Sequence, residues 1–335
     1  VGLGADLDVV TCKFTDQMSG RMLGVRADIT PQTARMDAHS LAENGVTRLC
    51  YAGSTLQSTP QSVVSGRAPI QLGAELYGSD CIEADAEVIT LMLSMFEAAG
   101  VTRGLTLDIG HIGIYDALFS DAGLDADLES QIFDAVQRKS TPDVERLASA
   151  LPAEIATKLL TLSALHGSAD VLGEARTVLG SEPVVVAALD ELEAALSQVW
   201  RSYPDVDVYI DLTELRGFRY HTGLVFAVYL EGRGSAIAKG GRYDNTGAVF
   251  GRDRPATGFA IDLKALVDDA KPIEIVDLPI IAPQSDDPTL REAIAALRSA
   301  GRVVVIDVPP GVALPDAERL VEREGQWVTE KETAS

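Results

Sequence analysis

An α+β architecture, with a helical insertion and a small α/β unit at the end, is predicted by three changes of pattern along these 335 residues. Strand-length apolar runs alternate with helix-like segments over residues 1–116. Residues 118–203 are instead rich in Ala, Leu, Asp and Glu, and strand-like runs return over 206–262. After Lys271-Pro272 come a strand, a helix and another strand, so the chain divides into a main unit, 1–270, and a smaller one, 271–335.

In order, residues 21–26 read as a strand and 31–43 as a helix. Thr30 is its N-cap, and Pro31 takes the first helical position, where a missing N–H costs nothing. Residues 49–52 and Ile70–Tyr77 read as strands, 85–99 as an amphipathic helix stopping at Gly100, and 105–109 as a further strand. Breaks at Thr141-Pro142, Leu151-Pro152 and Gly180 divide 118–203 into four or five helices, with Thr141 as a cap. Gly232-Arg233-Gly234-Ser235 and Gly240-Gly241 read as hairpin turns, because no Lys-Ser/Thr and helix follow to make a phosphate loop. In the smaller unit a strand at 279–282, a helix at 288–300 ended by Gly301 and a strand at 303–306 imply a right-handed crossover, followed by a polar tail from Thr329 to Ser335.

Composition excludes several classes of function. The formal net charge is −22, from 50 acidic against 28 basic residues, with no Lys/Arg cluster. Such a chain repels nucleic acid, whose binding depends on cationic side chains displacing counterions. No run reaches the length of a membrane span, and no basic segment followed by an apolar one marks a secretory signal. Cys12, Cys50 and Cys81 are too few and too widely spread for a disulfide framework or zinc knuckle, so reduced thiols in the cytoplasm are expected, with no metal and no cofactor. The chain opens on Val1 rather than Met and reads as part of a longer protein.

Glu214-Leu215-Arg216-Gly217-Phe218-Arg219-Tyr220-His221-Thr222-Gly223-Leu224-Val225-Phe226 carries the most chemistry. Two arginines, a tyrosine and a histidine lie between strand-like runs, placing these groups at a sheet edge that opens on a cleft. The planar fork of Arg216 suits a carboxylate or phosphate oxygen. On Ile70–Tyr77 a period of two puts Gln71, Gly73 and Glu75 on one face, with Gly73 leaving open space for a small ligand. The same pattern would also suit a strand with a solvated face. Asp28 can pair with a cationic amine or belong with Thr30 to a turn that starts the helix, and His221 can be a ligand contact or a structural side chain.

These elements, followed by Gly240-Gly241-Arg242-Tyr243-Asp244 and Thr257-Gly258-Phe259-Ala260-Ile261-Asp262-Leu263, resemble the histidine-recognition half of the histidyl-tRNA synthetase family from about Asp8 to Leu266. The resemblance implies a class II aminoacyl-tRNA synthetase-like antiparallel sheet flanked by helices. Arg26-Ala27-Asp28-Ile29-Thr30 stands where that family has Arg-Pro-Glu-Gly-Thr, which gives Asp28 the amino acid's ammonium group and puts Thr30 beside it. Gln71 and Glu75 match residues that contact bound histidine. Arg216 and Tyr220 match Arg-Gly-Leu-Asp-Tyr-Tyr, with His221 in place of its second Tyr, and Tyr243 belongs to the ring pocket. The family's two ATP-binding arginines fall on Gln57 and Ala265, neither of which can stabilise charge on a triphosphate; Lys264, one residue away, points about 100° aside on a helix.

A histidine pocket without the ATP arginines is similar to the ATP phosphoribosyltransferase regulatory subunits, paralogues of the synthetases acting in the first step of histidine biosynthesis. That resemblance implies a non-catalytic chain, usually dimeric, that activates a short-form catalytic subunit and mediates feedback inhibition by L-histidine. The motif that builds the dimer interface is expected before Val1. The rivals are a histidyl-tRNA synthetase with an atypical ATP site and a stand-alone histidine-binding module.

Overall fold

The computed structural model describes residues 5–42, 44–60, 66–119, 122–215, 220–270, 278–307 and 317–331. They fall into two compact units, Val1–Lys271 and Pro272–Ser335. Helix Ala5–Val10 and then a small hairpin of β1 (Lys13–Thr15) and β2 (Met22–Gly24) are the first described elements of the first unit.

Its body is an eight-stranded sheet of β3 (Thr47–Ser54), β4 (Ile70–Tyr77), β5 (Leu105–His111), β6 (His166–Gly167), β7 (Asp207–Asp211), β8 (Leu224–Leu230), β9 (Ala238–Arg242) and β10 (Ala256–Asp262), in the order β3-β4-β10-β9-β8-β5-β7-β6. Every neighbouring pair is antiparallel except β5 with β7. Parallel neighbours cannot be joined by a tight turn, and the helical block supplies the long crossover they need. Five helices, Ala126–Gln137, Thr141–Ala148, Ala153–Ala164, Asp170–Leu179 and Pro183–Ser202, lie within it, after Ile112–Phe119. The insertion is therefore the return path of the sheet, and it contributes the edge strand β6.

Helix Ile82–Ala98 starts three residues before the expected Asp85. It buries Ile89, Met92, Leu93 and Phe96, the i, i+3, i+4, i+7 stripe that faces a core. Leu107 and Ile109 of β5 and Leu192 and Leu196 of Pro183–Ser202 complete that core. Asp211, fully buried at the end of β7, accepts from the Lys139 ammonium and from Thr213 through its N–H (3.0 Å) and hydroxyl (2.6 Å). Asp108, Asp211 and Glu214 form the one carboxylate group among the described residues compact enough to hold a metal ion, and Lys139 already sits on it.

Several local expectations are corrected. Thr30 does not cap its helix. Ile29 occupies the cap position, and the Thr30 hydroxyl turns to Glu75 instead. The helix Thr30–Arg35 widens into a π-turn, Met36–Leu41, that stops at left-handed Ala42. Ser140 rather than Thr141 precedes its helix, with its hydroxyl on Asp143 (2.8 Å). Gly240-Gly241 is no hairpin turn but part of β9.

In the second unit β11 (Ile280–Ala282) is parallel to β12 (Val304–Ile306) and to β13 (Glu318–Arg323), and β13 pairs with β14 (Gln326–Lys331) as an antiparallel hairpin. Helix Pro288–Ser299, capped by the Asp287 carboxylate on the Thr289 N–H (2.8 Å), covers a core of Ile280, Leu290, Ile294 and Leu320. Thr329–Lys331, expected in a polar tail, belong to β14, and the rest of that stretch lies outside the described residues. Among the described residues no helix is long and apolar enough to cross a membrane.

Candidate functional site

Strand register assembles the site. Glu75 on β4 lies opposite Gly258 on β10, which in turn lies opposite Gly241 on β9. Side chains alternate across a strand, so Gln71 and Glu75 reach the same side. There they line a cavity of about 390 Å³ together with Asp28, Tyr220, His221 and Tyr243. A β-carbon on Gly258 would lie 1.6 Å from Oε2 of Glu75, so the carboxyl occupies the space that glycine leaves. Gly73 does not leave open space as expected. A β-carbon there would meet the Tyr51 ring at 2.5 Å, because Tyr51 stands opposite it on β3 and lays its ring over the gap.

Glu75 is the buried centre. Its Oε1 accepts from the hydroxyls of Thr30 (2.8 Å) and Tyr51 (3.3 Å), and its Oε2 accepts from the Tyr243 hydroxyl. Burial pushes its pKa up to about 8, against the pull of the Tyr243 and Thr30 hydroxyls and with a further push from the Asp28 charge.

Asp28 and Gln71 form the more open end. The Gln71 carbonyl accepts from the Ile29 N–H (2.9 Å), and its amide donates to Oδ1 of Asp28 (3.1 Å), which also accepts from the Thr30 N–H (3.3 Å). Gln71 thus holds the Asp28 carboxylate in one pose. Oδ2 of Asp28 makes no hydrogen bond among the described residues, and Asp28 lines the cavity.

The opposite wall is aromatic. Tyr220 stacks on Tyr243 with centroids 4.9 Å apart and planes at 21°, and the His221 ring stands edge-on to Tyr220 at 5.2 Å. Burial raises the pKa of both tyrosines and lowers that of His221 to about 4, so all three are neutral. Seven of the eight expected site residues, Asp28, Thr30, Gln71, Glu75, Tyr220, His221 and Tyr243, therefore share one cavity. The eighth, Arg216, lies outside the described residues.

Gln57, Lys264 and Ala265 also line the cavity, on the side of Asp28 and Gln71. Gln57 is buried with its amide on the Ala27 carbonyl (3.4 Å), and the Lys264 ammonium is held by the Ala68 carbonyl (2.6 Å).

Two contributors escaped the sequence reading. Tyr51 roofs Gly73, and its only trace in the sequence is an aromatic on a strand that must pair with a glycine. Arg242 faces away from the cavity. It donates to Asp85 through Nε (3.0 Å) and Nη2 (2.6 Å), to the Ser79 carbonyl (3.1 Å) and to Asp244 (3.2 Å). It ties the start of helix Ile82–Ala98 to β9 immediately before Tyr243. Burial raises the Asp85 carboxyl's pKa, although the Arg242 charge opposes the shift.

Comparison with known proteins places this geometry. The family model described as Histidyl-tRNA synthetase matches residues 1–266, and that described as ATP phosphoribosyltransferase subunit HisZ C-terminal domain matches 278–330. The ATP phosphoribosyltransferase regulatory subunit of Thioalkalivibrio sulfidiphilus is 51% identical over 308 residues, covering 91% of this chain and 78% of its own. A solved structure from Bacillus halodurans, described as an ATP phosphoribosyltransferase regulatory subunit/histidyl-tRNA synthetase, superposes with a TM-score of 0.81 at 27% identity, over 94% of this chain and 82% of that one. The ATP phosphoribosyl transferase (HisG:HisZ) complex from Thermotoga maritima contains the same fold, with a TM-score of 0.59 at 22% identity over 75% of this chain and 85% of that one. The synthetase match across the first unit, the regulatory-subunit match across the second and the identity to the Thioalkalivibrio protein agree, and the chain belongs to the ATP phosphoribosyltransferase regulatory subunits, built on the histidyl-tRNA synthetase fold.

Proposed function

We propose that the cavity binds free L-histidine and that its occupancy sets the activity of a short-form ATP phosphoribosyltransferase catalytic subunit, the regulatory task of this family in histidine biosynthesis. The observation that carries the reading is the polarity of the cavity. The Asp28 carboxylate, whose Oδ2 has no hydrogen-bond partner among the described residues, suits an ammonium group, and the aromatic wall with Glu75 and His221 suits a polar ring. Gln57 and Ala265, which line the cavity at the two positions where the synthetases carry their ATP-binding arginines, cannot themselves supply positive charge to a triphosphate. The partner is supported by the fold shared with the Thermotoga maritima complex. A second copy of this chain is the other partner in this reading, supported by the apolar side chains that the β1–β2 hairpin exposes, Phe14, Met18, Met22 and Leu23. A cytoplasmic setting without nucleic acid fits three free cysteines and the net charge of −22.

Titration calorimetry with L-histidine on the unaltered chain and on Asp28→Ala tests the site. Leaving a charged partner unpaired costs about 2–5 kcal/mol, so a weakening of at least roughly tenfold is expected. Unchanged affinity refutes the assignment. With the catalytic subunit added, the Asp28→Ala complex should still assemble and be activated but should resist histidine. Retained inhibition would place the feedback site elsewhere.

A further inference from the structure

We infer that His221 reads the ligand's ring as a hydrogen-bond acceptor only, so the pocket selects a ring nitrogen that carries a proton. The inference deepens the histidine reading above and rests on it.

The reasoning starts at the far side of the ring. Nδ1 of His221 lies 3.1 Å from the Arg242 carbonyl oxygen. A carbonyl can only accept, so Nδ1 must hold the proton in this contact. In a neutral imidazole the other nitrogen, Nε2, then presents a bare lone pair. Burial keeps the ring neutral at physiological pH. Nε2 makes no hydrogen bond to any described residue, and His221, itself half-buried, lines the cavity. A lone pair is therefore offered to whatever the cavity holds.

The arrangement is locked from three sides. The Arg242 carbonyl is fixed on β9, where it also accepts from the Thr222 N–H (2.8 Å), while its own side chain is clamped by Asp85. Beneath the ring, a β-carbon on Gly241 would lie 2.8 Å from Nδ1, so the imidazole packs directly on the β9 backbone. Tyr220 closes the side at 5.2 Å. Turning the ring over, which would bring Cδ2 to the place of Nδ1, would forfeit the carbonyl contact and leave the Nδ1 donor unpaired.

This chemistry is one-sided in a way that a tyrosine hydroxyl, able to donate or accept, is not. Imidazole or triazole rings bearing N–H satisfy His221. A thiazole of the same shape has none and meets lone pair with lone pair.

The test is calorimetry on the full chain with L-histidine and L-3-(thiazol-4-yl)alanine, for the unaltered chain, His221→Gln and His221→Ala. The unaltered chain should prefer histidine by about tenfold or more, since a buried polar group left unmatched forfeits roughly that factor. His221→Gln, whose amide can also donate, should shrink this ratio at least about threefold, and His221→Ala should shrink it as well. An unchanged ratio in the variants, or no preference in the unaltered chain, overturns the inference while leaving the histidine site standing. Absence of histidine binding to the unaltered chain overturns the site itself and this inference with it.

Discussion

Replacing Glu75 by Gln should make the protein less sensitive to alkaline pH. The folded chain holds the Glu75 proton up to about pH 8, whereas an unperturbed glutamate releases it near 4.5. Between these values the folded state binds the proton more tightly than the unfolded state. The associated stability is complete below 4.5 and is lost as pH rises through 8. At about 1.4 kcal/mol per pH unit the whole window corresponds to roughly 5 kcal/mol, of which about 3 kcal/mol falls between pH 5.5 and 8.5. Glu75→Gln copies the neutral form in shape, and the Thr30, Tyr51 and Tyr243 hydroxyls can rotate to meet an amide. Urea unfolding of both proteins at pH 5.5 and 8.5 gives the difference directly. The unaltered chain should lose about 3 kcal/mol relative to the variant across that interval. Parallel stability curves would mean that three hydroxyl donors keep the buried carboxylate ionised and that burial does not dominate.

Three further outcomes are expected. Arg242→Met leaves Asp85 buried without its cation and should cost about 3–5 kcal/mol of unfolding free energy; a loss below about 1 kcal/mol would show that the clamp is dispensable. Gly258→Ala drives a methyl group into the Glu75 carboxyl, so it should cost about 1–3 kcal/mol and abolish histidine binding, whereas Gly173→Ala on an open helix face should stabilise by about 0.5–1 kcal/mol; equal effects in denaturant melts would contradict the packing. With Gln57 and Ala265 at the two arginine positions, the chain should exchange no pyrophosphate into ATP in response to histidine, and detectable exchange would reverse the reading of those two residues.

Legibility followed the range of the interaction. β4 is legible to the residue because alternation and its flanking polar residues are local. Thr30 was misassigned because Thr-Pro is a strong local start signal, while its actual partner, Glu75, is 45 residues away. The role of Arg242 is not legible locally because a buried arginine needs a carboxylate, and Asp85 is 157 residues distant. Tyr51 and Gly73 show the same limit: alternation gives the face, and only the register tells what fills it. The β13–β14 hairpin was missed although its loop is short. Glu324 and Gly325 both have positive φ, 50° and 77°, as a two-residue turn of this kind requires. Glutamate in the first loop position hides a signal that Asn or Asp would have displayed.

The strand that carries Glu75 has one neighbour close in sequence, β3, and another, β10, that arrives only after the whole helical crossover. Half of the cavity can therefore form early, as the β3–β4 hairpin, and the other half cannot exist until residues far along the chain have folded back. A molecule that bridges Asp28 and Tyr243 would join segments that meet only through long-range closure of the chain. Its effect would fall on the rate at which the native state comes apart, with little on the rate at which it is reached. For a chain of this kind, effector concentration would then govern persistence as well as activity. A subunit with its cavity filled would outlast an empty one under proteolysis limited by global opening.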